Sequence, residues 1–159
     1  MKRWLLPSLL LVLVLAAWRW SPEEPAGSPP PAVTNGTAPA VSDGALRVVL
    51  RGVDAARGRA ALALFGDEAA FAADRPLRSV RLAPGVAAWE VEGLPAGTYA
   101  VKAYQDLDDD GRLDKGAFGV PAEPYGFSNG ARGTFGPPDF AEASFAFDGT
   151  RGAITLDLR

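Results

Sequence analysis

Ala45-Leu46-Arg47-Val48-Val49-Leu50-Arg51, closed by Gly52, places Leu46, Val48 and Leu50 on one side of an extended chain and Arg47, Val49 and Arg51 on the other. Successive strand side chains leave on opposite faces, so an alternation of period two predicts a half-buried strand. The same reading carries forward. Arg59-Ala60-Ala61-Leu62-Ala63-Leu64-Phe65 ends at Gly66 as a second strand, and residues 67–73 are expected to make one or two helical turns capped by Asp67. Leu77, Val80 and Leu82 mark a third strand, and residues 87–91, 98–105, 143–147 and 153–158 mark four more. Seven short strands in about 115 residues, with turn signals between them, predict an all-β domain, a seven-stranded immunoglobulin-like or transthyretin-like sandwich. The turn Gly93-Leu94-Pro95-Ala96-Gly97 ahead of Tyr99 joins two of these strands and reads as structural, with Leu94 as an apolar plug.

Ahead of the domain the composition changes twice. Lys2 and Arg3 precede an almost unbroken apolar run over residues 4–18, the charged and apolar regions of an export signal. As a helix that run reaches about 22 Å, short of a hydrocarbon core of roughly 30 Å. Residues 1–20 are therefore read as a signal peptide or, with Trp18-Arg19-Trp20 at the interface, as an uncleaved inner-membrane anchor. Either reading sends the domain to the periplasm or the exterior. The absence of Cys excludes lipid attachment of the bacterial lipoprotein kind. Residues 21–43 hold six prolines among Ser, Thr, Gly and Ala and are read as a disordered, partly polyproline linker to a domain at 44–159.

The composition limits the chemistry. Among 159 residues there is no Cys and no His, which excludes thiolate and imidazole nucleophile systems, disulfides and the usual zinc sites. Carboxylates remain. The net charge is −3, and without the three basic residues of the first 20 positions 13 basic groups face 19 acidic ones, a balance of −6. An acidic body argues against nucleic acid as a partner and suits a cation.

Those carboxylates cluster in Asp106-Leu107-Asp108-Asp109-Asp110-Gly111-Arg112-Leu113-Asp114. Acidic residues stand at loop positions 1, 3, 5 and 9 and glycine at position 6, the spacing with which alternate residues of a curled loop point oxygens at Ca2+. The expected ligands are Asp106, Asp108, Asp110 and Asp114, the carbonyl of Arg112, and Glu123 or water in place of the bidentate Glu that position 12, here Ala117, lacks. Leu113 is expected to tuck into the core. The competing reading is a solvated acidic turn, but that many carboxylates so close repel one another unless a cation lies among them. With one ligand short, an affinity near 10⁻⁴–10⁻³ M, on the order of extracellular modules, is expected.

From residue 115 to 139 no strand pattern is visible, only Gly and Pro interleaved with Phe118, Tyr125, Phe127 and Phe135. Such a length of connection is uncommon in a compact domain. The aromatics are read either as a platform for a sugar or peptide or, preferably, as a lid folded over the open end of the sandwich with the metal as its staple.

Tyr104-x-Asp106-x-Asp108-x-Asp110-Gly111-x-Leu113-Asp114, then Phe118-Gly119-Val120-Pro121-x-Glu123-x-Tyr125-Gly126-Phe127-Ser128-Asn129, then Gly136-Pro137-Pro138-x-Phe140-x-x-Ala143, resembles the bacterial domain of unknown function 2141 family over residues 46–158. The resemblance implies an exported β-sandwich whose loop usually carries Asn where this chain has Asp108 and Asp110, a change that adds negative charge. Pro124 stands where Gly is usual. No activity is implied. Two functions follow: a non-catalytic exported binding or structural module fastened by Ca2+, which is favoured, and a hydrolase using carboxylates such as Asp114 and Glu123. The second is weakened because hydrolases of transthyretin-like fold rely on His.

Overall fold

The computed structural model describes residues 44–159 apart from Phe135, and the side chain of Phe118 is likewise not described. The signal or anchor at 1–20, the apolar run 4–18 and the linker 21–43 lie outside the described residues, as do the proposed roles of Phe118 and Phe135 as ligand-facing aromatics. Among the described residues no helix is long and apolar enough to cross a membrane.

The domain is all-β with two sheets. Strands β1 (Ala45–Arg51), β2 (Arg59–Phe65), β3 (Arg78–Arg81), β4 (Ala88–Glu92), β5 (Gly97–Asp106), β6 (Tyr125–Phe127), β7 (Phe145–Phe147) and β8 (Arg151–Asp157) are joined by turns and two short helices, α1 (Glu68–Ala72) and α2 (Phe140–Ala143). One sheet has the order β4-β1-β8, with β1 and β8 parallel, and the other the order β3-β2-β5-β6, with β7 also on β5. Among the described residues the count is eight strands where the sequence predicted seven. The extra strand, Tyr125-Gly126-Phe127, is too short to alternate, and β5 imposes its extended form through the pairs Tyr104 to Tyr125 and Lys102 to Phe127. Residue 143, read as the start of a strand, instead ends α2. The helix after β2 forms as expected, with Asp67 accepting the Ala70 N–H at 2.8 Å.

Alternation divides the interior into two cores. Leu46, Val48 and Leu50 of β1 and Leu156 of β8 meet Leu62 and Leu64 of β2 and Val101 of β5 in the larger core, to which both sheets contribute. Leu94 joins it, buried as expected. On the other face of the second sheet Ala63, Phe65 and Ala100 pack with Phe71 of α1, Phe127 of β6 and Ala143 of α2. The long segment after the acidic loop is thus a cover, but over this outer sheet face and not over an open end of the domain. Its backbone is fixed by a 3-10 turn at Ala117–Gly119, β6 and a second 3-10 turn at Ser128–Gly130. Beyond β6, Tyr125 and Arg159 exchange backbone N–H bonds at 3.2 and 3.1 Å, tying the cover to the end of β8. Gly126 permits that approach, since a Cβ there would lie 2.5 Å from the Asp157 carbonyl oxygen.

Candidate metal centre

Strand β5 delivers the first residue of the acidic loop. Period two puts Lys102, Tyr104 and Asp106 on its outer face, all three buried beneath the cover. Arg59 is the cross-strand partner of Asp106, and Ala61 pairs with Tyr104 on one side and Arg81 on the other. The small side chain of Ala61 leaves room for Arg81 to reach across β2, where its guanidinium makes an ion pair with the Asp106 carboxylate. Arg81 also meets Asp109 at 3.1 Å, and Arg59 meets the same carboxylate at 3.2 Å. Asp109 has φ +66°, a conformation that Asp tolerates better than most residues.

The loop winds around Asp106. Its Oδ1 accepts the Asp110 N–H at 3.1 Å and its Oδ2 the Gly111 N–H at 2.9 Å, while Asp108 Oδ1 accepts from Asp110 at 3.3 Å and Asp110 Oδ1 from Arg112 at 2.7 Å. Gly111, at φ +86°, takes the sharp turn that the sequence assigned to it. Glu123 closes the circle from the cover. Its Oε1 accepts the Leu107 N–H at 2.6 Å and its Oε2 the Asp114 N–H at 2.9 Å, so one carboxylate grips both ends of the loop. Burial pushes the Glu123 carboxyl above its usual range, with those two N–H groups acting the other way. Burial also pushes the Tyr104 hydroxyl up, with the Asp106 charge adding to the effect.

Of the six residues expected to hold a cation, Asp106, Asp108 and Glu123 are brought together, each offering a carboxylate oxygen within 4.8 Å of the others. Asp110 and Asp114 are exposed and stand outside that group, and Arg112 is exposed with its N–H spent on Asp110. Leu113, expected to tuck into the core, is only half-buried and lines a cavity of about 20 Å³ with Lys102, Tyr104, Tyr125 and Phe127. That space holds little more than one water. Tyr125 is half-buried and Phe127 buried in the outer core, with their rings edge to face at 6.0 Å.

A family described as an uncharacterized protein conserved in bacteria, DUF2141, matches residues 48–155, more than half of the chain. The chain belongs to the DUF2141 family. Among curated proteins and among solved structures, nothing matches it.

This DUF2141 domain has two site residues that motif spacing does not show, Arg59 and Arg81. Both sit on strands remote in sequence from the loop, and only strand register puts them beside Asp106. In the structure they are the first residue of β2 and the last of β3, and no sequence signal marked them. Gln105 was also unmarked. It turns to the other face, accepts the Asp54 N–H at 2.9 Å and donates to the Asp54 carbonyl at 2.8 Å, fastening the β1–β2 turn beside the site.

Proposed function

We propose that this domain is an exported, non-catalytic binding or structural module of immunoglobulin-like or transthyretin-like sandwich form, and that its acidic loop binds Ca2+. The observation that carries the cation reading is the convergence of Asp106, Asp108 and Glu123, three carboxylate oxygens within 4.8 Å drawn from two segments of the chain. Ca2+ takes six to eight oxygens, so the Arg112 carbonyl, Asp110, Asp114 and water complete the shell on binding. Holding like charges this close without a counter-ion is unfavourable, and burial of Glu123 adds to the cost. Two guanidinium groups offset part of the charge and leave an excess of carboxylates.

The sandwich reading is supported by the strand turn ahead of β5, where the Tyr99 hydroxyl donates to the Pro95 carbonyl at 3.0 Å in the manner of a tyrosine corner. The export reading is supported by the basic and apolar start of the chain. A hydrolase using Glu123 is less well supported, because both of its oxygens are engaged by backbone N–H groups and the neighbouring cavity is about 20 Å³. Isothermal titration of the purified chain with CaCl2 tests the cation reading. Saturable binding with a dissociation constant near 10⁻⁴–10⁻³ M, on the order of extracellular calcium modules, is expected. The absence of saturable binding at millimolar Ca2+ would remove it.

A further inference from the structure

Asp106 is fully buried, and burying a carboxylate is costly unless its oxygens are paired and hydrogen-bonded. In this domain the partner is within the chain. Arg81 reaches over Ala61 from β3, pairs with Asp106 and touches Asp109, and a side chain added at Gly111 would have its Cβ 3.5 Å from the Arg81 Nη1. Arg81 therefore grips the loop at Asp106 and Asp109, while Glu123 grips the two ends. A loop so fastened has a positive charge at its centre before any ion arrives.

We propose that Arg81 is the resident counter-cation of the Asp106–Asp114 loop: it keeps the loop closed without metal and competes with a divalent cation for the Asp106 carboxylate. The competition rests on the Ca2+ reading above, whereas the closure does not. Arg81 is a positioning residue in the first role and sets affinity in the second, because a fixed positive charge beside Asp106 opposes an incoming Ca2+.

Two measurements on the full chain separate these roles. In the presence of a chelator, amide hydrogen exchange at Asp110 and Gly111, the two N–H groups that Asp106 accepts, is expected to speed up about tenfold or more in Arg81→Gln and less in Arg81→Lys. Unchanged exchange at Val101 in the centre of β5 guards against global unfolding. Arg59→Gln, which loses only the Asp109 contact described, is expected to have the smaller effect. Equal exchange at Asp110 and Gly111 in wild type and Arg81→Gln overturns the closure role. Calorimetric titration with CaCl2 is then expected to show Arg81→Gln binding about tenfold more tightly than wild type. Binding to both chains with equal affinity, or weaker in the variant, overturns the competition and leaves the Ca2+ reading standing. Binding to neither chain overturns both, and the exchange result alone then decides the closure.

Discussion

Glu123 accepts the N–H of Asp114 at 2.9 Å across nine residues of chain, and with its second oxygen it holds Leu107 at the opposite end of the acidic loop. The cover over the outer sheet face and the loop that leaves β5 are thereby a single unit. Replacing Glu123 with Ala leaves two N–H groups without an acceptor and is expected to cost about 2–4 kcal/mol. Glu123→Gln, which keeps an acceptor oxygen, is expected to cost less than half of that. Chemical denaturation of the two variants and wild type in chelator checks the order.

The same carboxyl gives a pH dependence of definite sign. Burial raises its folded-state pKa above the ordinary value of 4.5, so the folded state holds the proton more tightly than the unfolded chain does. Its contribution to stability is therefore fully present below that ordinary value and is lost as pH rises through the raised one. In chelator, the melting temperature of wild type relative to Glu123→Gln is expected to fall as pH rises through this window. With Ca2+ present the trend reverses, because the metal binds the ionised carboxylate. Melting curves from pH 4 to 7 with and without Ca2+ read both slopes.

Ser128 stands where the edge of β5 changes partners. Between the residues paired with β7 and those paired with β6, the Val101 N–H donates to Ser128 Oγ at 2.8 Å, and that hydroxyl donates to the Ala143 carbonyl at 2.5 Å. A side chain thus fills the gap in the ladder and joins β6 to α2. Ser128→Ala orphans a buried donor and a buried acceptor and is expected to cost about 1–3 kcal/mol, measured by denaturant unfolding.

Lys102 is charged and buried under the cover. Its ammonium pairs with Asp74, donates to the Phe71 carbonyl at 2.7 Å and lies 4.1 Å from the Phe71 ring centre. Burial lowers its pKa, with Asp74 opposing. Lys102→Met alone strands the Asp74 carboxylate and is expected to cost about 2–4 kcal/mol. Adding Asp74→Asn, a residue that tolerates the φ of +49° at that position, is expected to recover about half of that cost. A double-mutant cycle measures the coupling.

The division of the domain into strands was legible wherever alternation ran for four residues or more, as in Leu46, Val48 and Leu50. It failed at Tyr125–Phe127, where three residues carry no period and pairing with β5 decides the conformation. The acidic loop was legible from spacing, including the turn at Gly111, whereas Glu123 stood only as an alternative to water. Which exposed member joins Asp106 and Glu123 was not legible, because spacing does not separate Asp108 from Asp110 and Asp114. Arg81 was hidden for a different reason. Its approach to Asp106 depends on strand order, on register and on an alanine at 61, and none of these is written near the loop.

The central claim is that the converging carboxylates of Asp106, Asp108 and Glu123 take a divalent cation, and thermal unfolding of the full chain against CaCl2 tests it most directly. Asp108 is the variant of choice, being exposed and so removable without opening the core. The account predicts that wild type gains several degrees at millimolar Ca2+, since a ligand bound to the folded state alone stabilises it, and that Asp108→Ala loses most of the gain. No shift in wild type, or an equal shift in Asp108→Ala, would contradict it.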